Sequence, residues 1–182
     1  MKPVKLSALI EALEFDSPET VTRVDLQNGC VVIVDRSFLS AAEEGDAEPL
    51  KDAPNWQKAE METARAIAAD AGKRFVAGPD KFDFHEYRQM ERFIGTVETP
   101  EVAEQLWRAI KAGKGAFRYF KDTASRLGLL DRWFAYRDQA MNDYVRDWAE
   151  VYQIAIEDDS QPRPQKRRAV HAGANAGKDQ QP

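Results

Sequence analysis

Gly113-Lys114-Gly115, followed closely by Arg118 and Lys121, is where residue type and spacing in this chain come nearest to ligand chemistry. Glycines ahead of a helix leave backbone N–H groups free, and the helix dipole turns them towards an anion, with Lys114 and Arg118 adding charge. A nucleotide P-loop is excluded, because the GxxxxGK(S/T) pattern is missing and no strand precedes the turn. The competing reading is a tight helix–helix turn in which glycine supplies φ > 0, and it is favoured because such linkers are common between antiparallel helices.

Arg126, Arg132 and Arg137 extend the basic set, so that Gly113–Arg137 holds six aromatics and six Lys/Arg against two acids. Interleaved aromatics and arginines suit a single-stranded nucleic acid, whose bases stack and whose phosphates need neutralising. The plainer reading is core packing with ion pairs. Phe117, Phe120, Ala124 and Leu127 share one helical stripe and are expected to be buried. Arg118 lies off that stripe near the helix start and is expected to be exposed and ligand-facing. Arg137 lies within the stripe of its own helix, where a carboxylate such as Asp83, Glu86 or Asp122 must meet it.

Asp83, His85, Glu86 and Tyr87 form a second candidate set, in which His85 and Glu86 could act as an acid–base pair. Asp83 and Glu86 also have capping-box spacing, which gives Glu86 a structural task instead. The chain has only two histidines, His85 and His171. That is too few nitrogen and sulfur ligands for zinc, and neither a metal nor a cofactor is expected. Cys30 stands in an apolar strand and reads as a small core residue.

The elements that must carry these residues follow from periodicity. Leu6, Leu9, Ile10 and Leu13 give a short first helix. Thr20–Leu26 and Cys30–Asp35 read as strands joined through Asn28-Gly29, a hairpin turn whose two residues tolerate φ > 0. The second strand is apolar on both faces and is expected to lie inside the sheet. Residues 40–55 read as a mobile connection, Trp56–Ala71 as a helix, and Lys73–Ala77 as a third strand before a Gly78-Pro79 turn. Helices are expected over Asp83–Ile94, from Thr99-Pro100 to Lys111, over Ala116–Leu127 with Gly128 as the stop, and over Asp131–Ala155. The last carries a stripe of Trp133, Ala140, Met141, Tyr144, Trp148 and Val151/Tyr152.

The chain has 182 residues, 43% hydrophobic and 31% charged, which fits one soluble globular domain. No apolar run reaches the roughly 18 residues a membrane helix needs, and the charged start excludes a secretory leader. One cysteine suits a reducing compartment, so the expected location is cytoplasmic. Of the 26 basic and 31 acidic residues, the segment from Asp158 onward holds five and three, leaving 21 and 28, a net of −7, in the rest. Broad adhesion to nucleic acid or an anionic membrane is therefore not expected, and any anion contact must be local.

DKFDFHEYRQMERFI (Asp80–Ile94), GKGAFRYFKDTASRLGL (Gly113–Leu129) and DRWFAYRDQAM (Asp131–Met141) resemble the blocks of Uncharacterised Protein Family 0158, a bacterial family. LSALIEALEF and WQKAEMETARAI sit where that family has similar segments, and the likeness covers roughly Lys5–Trp148. The resemblance implies a cytoplasmic bacterial protein. It supplies no catalytic residue, because the family has no established activity.

The sequence therefore predicts an α+β fold over residues 1–157: a short N-terminal helix, a small antiparallel sheet built on the hairpin, and a helical C-terminal half. Residues 158–182 are expected to be a disordered basic tail. The expected function is a non-enzymatic binding or regulatory module. Its hairpin 113–137 would contact a protein or nucleic-acid partner through Gly113, Lys114, Gly115, Arg118, Lys121 and Arg137. The alternative is a small enzyme with a polar site around Asp83–Tyr87 and Arg118/Arg137.

Overall fold

Burial of Leu6, Leu9, Ala12 and Leu13 on one face makes Leu6–Glu14 (α1) the helix that its apolar spacing predicts. The computed structural model describes residues 1–45 and 54–159. The expected tail from residue 160, and the middle of the expected connection, lie outside the described residues.

A two-residue strand, Val4–Lys5 (β1), precedes α1. Thr20–Asp25 (β2) and Cys30–Asp35 (β3) form the expected antiparallel hairpin, in register from Thr20↔Asp35 to Asp25↔Cys30. Its turn differs from the two-residue Asn-Gly form, because four residues connect the strands and only Gly29 has positive φ, +68°. The Asp25 carboxylate sets that wider turn by accepting from Gln27 N, Asn28 N and Asn28 Nδ2. Glycine is required twice over at residue 29, since a Cβ there would lie 2.5 Å from the Pro3 carbonyl.

Phe75–Ala77 (β4) adds the expected third strand, antiparallel to β2, in the order β3-β2-β4. The central strand is thus β2, and β3 is an edge, contrary to the expectation from its apolar run. That run arises because β3 touches two cores: Val31 packs on the α1 side, and Val32 and Val34 on the other. Neither core reaches Ile33, which is 48% exposed, and Cys30 is exposed rather than buried.

Arg36–Glu44 (α2) was expected in part as a loose connection. It is a helix capped by Asp35, whose carboxylate accepts from Ser37 N at 2.8 Å, and closed by Gly45 at φ +73°. Asn55–Ala69 (α3) packs on it over the sheet with Ala64 and Ile67 buried.

The helical half begins with Lys81–Phe84 (α4), broken at His85 from Glu86–Ile94 (α5). Pro100–Ile110 (α6), Ala116–Arg126 (α7) and Leu130–Val151 (α8) follow. Phe93, Phe120 and Trp133 meet edge to face where α5, α7 and α8 converge, the last two with ring centroids 4.9 Å apart. Further along, α8 presents Met141, Val145 and Ala149 to α1 and the sheet. This buried line replaces the expected one at its end: Val151 and Tyr152 are exposed, because the helix stops at Val151 and Ile154 enters the core instead.

Ile156–Glu157 (β5) then pairs in parallel with β1. The folded part also runs past the expected boundary at residue 157. Arg146 binds Asp158 at 2.6 Å, and the Asp159 carboxylate accepts from Ser7 N and Ser7 Oγ at 2.9 and 2.7 Å, capping α1. The architecture is α+β, and among the described residues no helix is long and apolar enough to cross a membrane.

Candidate functional site

Ile110 closes α6 inside the core, and the chain must reverse before Ala116 and Phe120 can re-enter it. Gly113 and Gly115 make that reversal with φ of +76° and +91°. A Cβ at Gly113 would meet nothing within 4 Å, so backbone conformation alone calls for glycine there. At Gly115 it would also touch the Tyr119 ring at 3.3 Å. Both glycines therefore have the structural reason that the turn reading predicts, and Lys114 stands exposed between them.

Helix α7 buries Ala116, Phe120, Thr123 and Ala124. With about 100° per residue, the opposite arc runs from Phe117 through Lys121, Arg118, Asp122 and Arg126 to Tyr119. Phe117 was expected in the buried stripe but is 43% exposed. Ala116 takes its place against the core, which leaves Phe117 on the rim. Tyr119, 52% exposed, forms the other rim and lines a shallow groove towards α6 with Arg108 and Arg126. Arg118 is 86% exposed, and its nearest carboxylate is Asp122, one turn on, at 3.7 Å. On the next helix Phe134 is also exposed.

The remaining two cations are committed to the fold. Arg132 donates to Thr96 O and Thr96 Oγ1 at 2.6 and 3.1 Å, with its guanidinium over the Phe93 ring. Arg137 is largely buried between α1, α5 and α8, donating to Glu86 at 2.6 Å and to Glu14 at 3.2 Å. Burial works against its charge, but the Glu86 and Glu14 carboxylates more than offset this and hold its pKa above the ordinary value. Of the carboxylates expected for Arg137, Glu86 is the one that reaches it. Glu14 is the partner that sequence reasoning missed, because it is 123 residues away in the chain.

The second candidate set converges only in part: Asp83 and His85 line one recess, and Glu86 and Tyr87 do not. Asp80, not Asp83, caps α4, accepting from Phe82 N at 2.5 Å, and the expected capping box does not form, because α5 starts from His85 with no side-chain cap. The reason is His85, whose φ of +52° breaks the helix and turns Asp83 and Glu86 in different directions. Glu86 faces Arg137, while the Tyr87 hydroxyl donates to Ile110 O at 3.4 Å on α6. His85 is exposed and lies against Phe82. Arg118 has no contact with this set. Among the described residues, no group of three or more His, Cys, Asp or Glu is placed to hold a metal ion.

No family model matches the chain, and neither a curated protein nor a solved structure matches it.

Proposed function

We propose that this chain is a non-enzymatic binding module that contacts an anionic partner through the outer arc of α7. The observation that carries this reading is the arc itself: Lys121, Arg118 and Arg126 between two exposed aromatic rims, Phe117 and Tyr119, in a protein of net charge −5. Exposed aromatics flanking cations, of which Arg118 has only the loose, exposed partner Asp122 at 3.7 Å, are the composition of a contact surface rather than of a merely solvated face. The rims lie on opposite sides of the helix, so one nucleic-acid strand could not stack successive bases on both. An acidic protein segment, which needs only spaced carboxylates and apolar side chains, fits the arc better. The resemblance to Uncharacterised Protein Family 0158, with its cytoplasmic bacterial setting, belongs to this reading.

Fluorescence anisotropy with a labelled oligoglutamate peptide containing interspersed leucines, beside a labelled oligouridylate, tests it. The peptide is expected to bind, more weakly as salt rises, and to lose binding on combined Arg118→Glu and Lys121→Glu substitution with the melting temperature unchanged. Binding of the oligouridylate alone would make the partner a nucleic acid. Binding of neither would remove the reading.

A further inference from the structure

Helix α8 serves two apolar clusters, one containing Phe84, Met141 and Val145 and the other Met90, Phe93 and Trp133. At the seam between them, where α5 packs on α8, a recess of about 300 Å³ opens to solvent, with the buried Phe84 and Gln89 in its lining. That volume is at the lower end of the range of small-ligand clefts, and seams between packed helices are where such clefts form.

The charges of the recess are sorted by wall. Arg88 and Arg92 come from α5, one turn apart and so on one helix face. Asp143 and Asp147 come from α8, again one turn apart, and Asp83 comes from α4. Among the described residues none of these five forms an ion pair, and Asp143 accepts a hydrogen bond only from Gln139 Nε2, at 2.8 Å. Opposite charges thus face one recess without neutralising one another. A simple anion would meet three carboxylates there, and a simple cation two guanidinium groups. Only a ligand carrying both signs answers both walls.

Two further features fit a prepared site. The Tyr144 hydroxyl, in the lining, is fixed by donating to Asp80 O at 3.0 Å and accepting from Asp80 N at 3.3 Å. His85, also in the lining, holds a left-handed backbone conformation that costs free energy and that gathers at functional sites.

We propose that this recess binds a small zwitterion, a carboxylate and an ammonium group joined by a short apolar stem, as in a dipeptide with free ends. The carboxylate lies against Arg88 and Arg92, whose planar guanidinium groups match it in paired hydrogen bonds. The ammonium group lies against Asp143 and Asp147, and the stem covers Phe84 and Ala140. This site is separate from the α7 arc and does not depend on it.

NMR titration of the full chain with L-alanyl-L-alanine, its N-acetyl form and its C-terminal amide tests the proposal. The free-ended dipeptide is expected to shift amide signals of α5 and α8 around the recess. Each capped form is expected to bind at least about tenfold more weakly, the effect of losing one charged contact. Arg92→Gln and Asp143→Asn, both at exposed positions, should each weaken the free dipeptide about tenfold while the rest of the spectrum stays native. Absence of shifts at the solubility limit, equal binding by the capped forms, or shifts outside the recess would overturn the proposal. So would a dimer that Arg92→Gln dissolves, because the occupant would then be a second copy of the chain.

Discussion

Replacing Arg137 with alanine tests whether the basic hairpin divides into structural and free cations. The Arg137 side chain is 17% exposed, and the Glu14 and Glu86 side chains that it binds are 22% and 24% exposed. Removing one partner of a fully buried pair costs about 3–5 kcal/mol, because a charge is left in a low dielectric without compensation. Both carboxylates here keep some contact with water, which lowers the expected loss to about 2–3 kcal/mol. For a chain of this length that is a fall in melting temperature of roughly 5–10 °C. Thermal denaturation followed by circular dichroism at pH 7 measures it. The double variant Arg137→Met with Glu86→Gln should recover part of the loss, since it removes one of the two carboxylate charges that Arg137 met. Arg118→Ala, by contrast, should melt with the parent, because its side chain lies in solvent and Asp122 is a loose partner. If Arg118→Ala fell by the larger amount and Arg137→Ala did not, the division argued here would be reversed.

Three further outcomes follow from the fold. The Arg74 guanidinium, with Asn28 and Gln27 assisting, outweighs burial and holds the Asp25 pKa at about 2 against 3.8 for the free group, so the stability it contributes is present above pH 3.8 and lost as pH falls towards 2. Asp25→Asn should therefore lower stability at pH 7 and flatten the acid limb of a stability–pH curve; an unchanged limb would show that another carboxylate governs it. Gly113→Ala should cost about 1 kcal/mol through its positive φ alone and Gly115→Ala more, because its Cβ also meets Tyr119, and a valine tolerated at either position in urea melts would contradict both. Ser7→Ala and Asp159→Ala should each lower the melting temperature slightly, and the double variant no further than Asp159→Ala alone, since Asp159→Ala removes both hydrogen bonds and Ser7→Ala only the one from its hydroxyl; additive losses would mean the residues act apart.

The elements that depended on local pattern were legible in the sequence. Helix α1, the two hairpin strands, β4 and the glycine-terminated α7 follow from spacing and turn residues a few positions apart, whereas the hairpin register does not, because the four-residue turn pairs Asp25 with Cys30. What was hidden depends on partners distant in the chain. The exposure of Ile33 and Cys30 follows from β4 choosing β2 rather than β3 as its neighbour, and no feature within Cys30–Asp35 encodes that choice. The β1–β5 pairing is two residues long, below the length at which alternation can be read. Helix α2 carried a readable signal in Asp35 before Ser37 and Gly45 after Glu44, but the acidic, alanine-rich stretch that follows masked it. The walls of the α5–α8 recess were visible only as separate i, i+4 pairs, Arg88/Arg92 and Asp143/Asp147, and nothing local sets them opposite each other.

The same distinction explains why basic residues of similar local context came to different ends. Arg118 and Arg137 each follow an aromatic residue, Phe117 and Tyr136, and each has aspartate close in sequence. What separates them is the neighbouring element. Arg137 points at α1 and α5, where Glu14 and Glu86 already face inward and need a cation, so its burial completes a three-helix junction. Arg118 is on the side of α7 opposite the core, where no other element of the described chain offers it a carboxylate. A cation that the fold does not use, held beside aromatics that the fold does not cover, remains available to another molecule. That availability, rather than the count of basic residues in the hairpin, is what the proposal of α7 as a binding face rests on.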